Sequence, residues 1–101
     1  MNQERQLITI IVTPDIEESV VDWLLEHPEI KRFVSYQVKS YNKDYSDYTT
    51  LEKVTGWKRK TALRVLFPTE EMPNVIAQMK AKFANSGIYY RITPFLDEGV
   101  L

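Results

Sequence analysis

The sequence has no cysteine and one histidine. The first absence excludes a disulfide framework, a thiolate metal site and a cysteine nucleophile; the second excludes a metal centre built on several imidazoles. Glycine is scarce, at three residues, and no glycine-rich phosphate loop, HExxH helix or serine-nucleophile signature occurs. No apolar run approaches the roughly 20 residues of a membrane helix. The run Leu7 to Val12 is short and interrupted by Thr9, and polar Asn2 to Gln6 precede it, unlike a targeting signal. The expected location is therefore cytoplasmic. An excess of one charge is lacking too, since 13 Lys+Arg against 14 Asp+Glu leave a net charge of −1. That balance disfavours a uniformly basic surface for nucleic acid or membranes.

What is present is an ordinary globular composition, 44% hydrophobic with aromatics spread along the chain, sufficient for one domain over residues 1–101. Leu7 to Val12 is β-branched and apolar on both faces, as a central strand requires. Thr13-Pro14-Asp15 stops it. Asp15 is the expected cap of a helix over about 15–26, with Ile16, Val20, Trp23, Leu24 and His27 as its apolar stripe and Pro28 as its stop. From Phe33 to Tyr41 the period changes to two, with Val34, Tyr36 and Val38 on one face of a half-buried strand. Residues 42–56 form a long exposed loop with a short helical turn within Leu51 to Gly56. Trp57 to Phe67 gives a third, central strand. A second helix follows with Thr69 as cap, Pro73 in its first turn and Gly87 as its left-handed terminator. Ile88 to Phe95 is the fourth strand, placed at an edge by Pro94. The order βαββαβ predicts an α+β, ferredoxin-like fold: a four-stranded antiparallel sheet, strands one and three central, both helices on one face.

Little in this plan carries reaction chemistry. His27, at the end of the first helix, complements the helix dipole, and Glu17/Glu18 and Glu70/Glu71 do so at helix starts. No enzyme, catalytic residue or cofactor is expected. The acidic loop Asn42, Asp44, Ser46, Asp47 with Glu52 fails the calcium-loop pattern, because Asp47 stands where a glycine is required and Lys53 where the last ligand should be. No metal site is assigned, and a solvated loop is favoured because Lys43 and Lys53 partly cancel the charge; a weak oxygen site for a hard cation, and with it a small metal-binding module, stays open as an alternative. Lys58, Arg59, Lys60 and Arg64 concentrate positive charge near Tyr36, Tyr41 and Trp57, an arrangement known from RNA-binding sheets. The third strand, Thr61-Ala62-Leu63-Arg64-Val65-Leu66-Phe67, lacks the aromatic RNA-recognition pattern, so a solvated strand end or a contact with a neighbouring subunit is favoured over nucleic acid. The sheet face without helices needs cover, and packing against copies of the chain supplies it, so a homo-oligomer is expected.

Three segments add a resemblance: Val21-Asp22-Trp23-Leu24-Leu25-Glu26-His27-Pro28 with Phe33 soon after, Leu51-Glu52-Lys53-Val54-Thr55-Gly56-Trp57-Lys58-Arg59-Lys60, and Gly87-Ile88-Tyr89-Tyr90. With the order of elements and the long loop, they make the chain resemble the P-II-like superfamily of nitrogen-regulatory and divalent-cation-tolerance-like proteins. Within it, the chain resembles a small bacterial family of unknown function often encoded beside heavy-metal efflux pumps. The resemblance implies a homotrimeric regulator whose loop, residues 42–56, reaches a membrane transporter or other protein, with small ligands in clefts between subunits. Two departures stand out. Asn42 to Thr50 lacks the histidines frequent in relatives, which counts against metal sensing. Phe67 to Pro73 is acidic and lacks the glycine-rich phosphate segment of signalling P-II proteins, which counts against nucleotide binding of that kind. The candidate contact residues are Tyr41, Tyr45, Tyr48, Glu52, Gly56, Trp57, Lys58, Arg59, Lys60 and Arg64, with Lys58, Arg59 and Lys60 as the expected anchor for a small anionic ligand.

Overall fold

A computed structural model describes residues 4–44, 46 and 48–101. The elements are β1 (Arg5–Val12), α1 (Pro14–Leu25), β2 (Val34–Ser40), α2 (Thr50–Thr55), β3 (Lys58–Pro68), a 3₁₀ turn (Thr69–Glu71), α3 (Met72–Lys82) and β4 (Tyr89–Pro94). The four strands form one antiparallel sheet in the order β2-β3-β1-β4. The doubly apolar strands are the central ones and β4, with Pro94, lies at an edge, as the ferredoxin-like plan expects. On the covered face Ile8, Ile10 and Val12 of β1 and Leu63, Val65 and Phe67 of β3 pack with Val20, Trp23 and Leu24 of α1 and Val75 and Met79 of α3. Both long helices thus lie over the same side. Thr61 of β3 is buried and donates a hydrogen bond to Glu17 of α1. His27 closes α1 structurally: its Nδ1 donates to the Trp23 carbonyl oxygen at 3.0 Å, and its Nε2 lies 3.0 Å from the Gln78 side-chain amide.

Element ends differ from the sequence expectation for local reasons. The cap of α1 is Thr13, in extended conformation, with Pro14 opening the helix; proline's fixed φ suits that first position and places Asp15 inside the first turn. Thr69 begins the 3₁₀ turn instead of capping α3, whose first turn holds Pro73. Gly87 is not the terminator of α3, which ends at Lys82 with Phe83 as cap. Asn85 (φ 59°) and Gly87 (φ 79°) turn the chain into β4 instead.

Register separates the two sheet faces. Opposite the core, one row across the sheet is Tyr36, Ala62, Ile11, Tyr89; the next is Val34, Arg64, Thr9, Arg91; beyond it lie Leu66, Leu7 and Thr93. The alternation expected in β2 exists, but Val34 and Tyr36 face outward and stay 58% and 45% exposed, so this strand is not half-buried within the chain. The β2-β3 ladder also outruns its neighbour. Val12 of β1 pairs with Thr61, whereas Lys58, Arg59 and Lys60 pair only with Ser40, Lys39 and Val38. This two-stranded arm projects from the four-stranded body. The radius of gyration is accordingly 15.3 Å, against about 13 Å for a compact chain of 100 residues.

Candidate functional site

At the tip of the arm, the segment after β2 folds back through α2. Asn42 and Asp44 each accept a backbone N–H two residues on, from Asp44 and Ser46, which makes consecutive Asx turns. Thr49 and Glu52 form a reciprocal capping box: the Thr49 hydroxyl accepts from the Glu52 N–H at 3.2 Å and the Glu52 carboxylate from the Thr49 N–H at 2.9 Å. Gly56 ends α2 at φ 82°, its N–H bonded to the Glu52 carbonyl at 2.8 Å. The Glu-x-Val-x-Gly run is therefore a helix with both ends fixed by local bonds. No residue of α2 is buried, and Leu51 and Val54 are 71% and 80% exposed.

The structure divides the candidate residues into separate places. Glu52, Trp57 and Arg59 come together with Leu51 and Thr55 around a groove of about 230 Å³. The Lys39 ammonium lies 5.1 Å above the Trp57 ring, a cation–π contact that fixes one wall beside this groove. Tyr48 is buried, donates its hydroxyl to the Ser40 carbonyl at 3.3 Å, and lies under Lys58, whose nitrogen is 5.7 Å from the ring centre. Tyr48 thus fastens the return of the loop to the arm. Tyr41 stands exposed at the end of β2, and Tyr45 lies outside the described residues.

The basic run does not converge as the sequence reading expected. Successive side chains of a strand point to opposite faces, so Lys58 and Lys60 share the open face while Arg59 projects to the other, across from Lys39. Arg64 is further displaced, near the middle of the sheet, where it lines a trough with Arg32. Sequence reasoning missed Arg32, which precedes β2 in an irregular stretch and is brought to Arg64 only by the β2-β3 register. Lys39 was missed for a similar reason, as its link to Trp57 spans the arm. Among the described residues, no group of three or more His, Asp or Glu side chains is placed to hold a metal ion, and no helix is long and apolar enough to cross a membrane.

Comparison with solved structures places the fold in known company. A DUF3240 family protein from Shewanella baltica OS155 superimposes with a TM-score of 0.78 at 18% identity, covering 100% of this chain and 99% of that one. The periplasmic divalent cation tolerance protein CutA from Archaeoglobus fulgidus gives 0.67 at 16% identity, covering 95% of this chain and 87% of that one. A Bacillus cereus protein related to NIF3 gives 0.68 at 13% identity, with 97% of this chain matching 27% of that longer one. At such identities the likeness is one of fold, the P-II-like form of the ferredoxin-like plan. No curated protein sequence matches the chain. The sequence pattern of a family described as a protein of unknown function, DUF3240, matches residues 2–101, and the chain belongs to that family.

Proposed function

We propose that this chain is a non-enzymatic, cytoplasmic regulatory protein that assembles as a homotrimer through the open faces of its sheet. In this reading it presents the arm and α2 to a protein partner, a membrane transporter of the heavy-metal efflux type. The observation that carries the proposal is α2 itself, a helix fixed by a capping box and a left-handed glycine that buries nothing and holds Leu51 and Val54 in solvent. Isolated helices of this length are marginal in water. One kept in place by caps, with apolar side chains displayed, is suited to dock on another protein. The outward row Tyr36, Ile11 and Tyr89 gives the assembly its apolar surface. The resemblance to P-II-like regulators and the fold shared with a divalent cation tolerance protein support the same reading.

The docking step is tested by a photo-crosslinking residue at Val54 in cells, with one at Leu25 on α1 as control. Capture of a membrane transport protein from Val54 and not from Leu25 is the expected result. Crosslinks from Val54 only to other copies of the chain would remove the partner role of α2.

A second reading, a small RNA-binding module, has one observation in its favour: exposed Tyr36 and Tyr89 share the open face with Lys58, Lys60, Arg64 and Arg91. It requires affinity for a single-stranded oligonucleotide that falls steeply with salt and with Tyr36→Ala.

A further inference from the structure

The open face has an unbalanced charge. Its strands place Arg5, Lys58, Lys60, Arg64 and Arg91 outward and no carboxylate at all, although the chain as a whole is slightly acidic. Toward the end far from the arm, this face is cut by a trough. One section, about 240 Å³, is lined by Arg32 and Arg64 over Leu7, Phe33, Val34 and Leu66. It continues, through Arg32, Leu66 and Glu98, into a section of about 490 Å³. The carboxylate common to both sections is Glu98, and it is committed: it accepts from Arg5 at 2.6 Å. Glu29 and Lys31, of opposite charge, line only the outer section. Among the described residues, Arg32 and Arg64 have no ion pair and no side-chain hydrogen bond.

Two uncommitted guanidinium groups over an apolar floor define a ligand chemistry. Guanidinium donors match a carboxylate in a planar, bidentate way. Arg32 approaches from the stretch before β2 and Arg64 from β3, so the pair is held by sheet register rather than by sequence proximity. Leu7, Val34, Leu66 and Phe95 give this section apolar cover, and its one carboxylate, Glu98, is tied to Arg5. We infer that the trough is a binding site for a small organic anion, its carboxylate clamped by Arg32 and Arg64 and its apolar body laid on Val34 and Leu66. The site is complete within one chain and does not depend on α2 or on the transporter.

The test is a titration of the full-length protein with octanoate, followed by backbone amide chemical shifts, with octanol as the neutral counterpart. Saturable shifts at Phe33, Val34 and Leu66 are expected with octanoate and not with octanol. Arg32→Ala and Arg64→Ala, both at exposed positions, should each raise Kd by at least about tenfold. Lys80→Ala, at an exposed position of α3, should leave it unchanged, and so should Tyr36→Asp, which targets the assembly surface. Absence of shifts at millimolar octanoate, equal binding of octanol, or affinity that survives both arginine substitutions would each overturn the site. So would a 12-nucleotide single-stranded RNA that binds this face in competition with octanoate and far more tightly, since the arginines would then serve a polyanion. Loss of octanoate binding in Tyr36→Asp with the fold retained would contradict the single-chain site specifically, whatever the fate of the docking proposal.

Discussion

Phe67 and Gly56 mark two ways in which a single residue supports this fold. Phe67 is fully buried between the sheet and α1, where its ring meets the His27 imidazole edge-on with centroids 5.7 Å apart. Phe67→Ala should lower unfolding stability by about 3–5 kcal/mol, read by urea denaturation, because it opens a cavity among side chains already at interior density. Gly56 acts through backbone alone. A Cβ there would meet nothing within 4 Å, but φ is +82°, a conformation that costs other residues about 1–2 kcal/mol. Gly56→Ala should therefore raise hydrogen exchange of the α2 amides by about 5- to 30-fold and leave the β1 and β3 amides unchanged. An equal rise throughout the sheet would show that the arm and the body are one cooperative unit.

The elements were legible in the sequence wherever burial dictated the pattern. Leu7 to Val12, Thr9 apart, and Ala62 to Phe67, Arg64 apart, set apolar residues on both faces because both are central, and Pro94 marks an edge because it has no N–H to donate. Ends were harder to read, since Thr13, Pro14 and Asp15 all suit the start of a helix, and proline's fixed φ decided among them. The candidate site was legible at its helix and not at its charges. Glu52 and Gly56 are a local signal, three and seven residues from Thr49, whereas Lys58, Arg59 and Lys60 are adjacent in sequence and split between two faces by the pleat. The Arg32–Arg64 pairing leaves no sequence trace, because it exists only once β2 and β3 have found their register. Since no residue of α2 is buried, replacing residues 50–55 with a glycine-serine linker that leaves Tyr48 in place should shift Tm by only a few degrees, about what 1 kcal/mol produces in a domain of this size. A large loss of Tm would mean that α2 stabilises the body.

At the scale of the whole molecule, the sheet is insulated on one side and bare on the other. The covered side holds the fully buried core, while Tyr36 and Tyr89 are 45% and 55% exposed on the open side. Copies of the chain meeting across the row Tyr36, Ala62, Ile11, Tyr89 would remove that surface from water and leave the arms projecting at the rim, with the Arg32–Arg64 trough toward the opposite end of the face. A buried carboxylate in that row would carry an unpaired charge into an apolar interface, so Tyr36→Asp should dissociate the assembly with little effect on secondary structure by circular dichroism. The most direct measurement is the solution mass by light scattering at micromolar protein. The account predicts three times the chain mass of 11.9 kDa for the natural sequence and a single chain mass for Tyr36→Asp. A monomer in both proteins would contradict it, leaving the open face without the copies that are proposed to cover it.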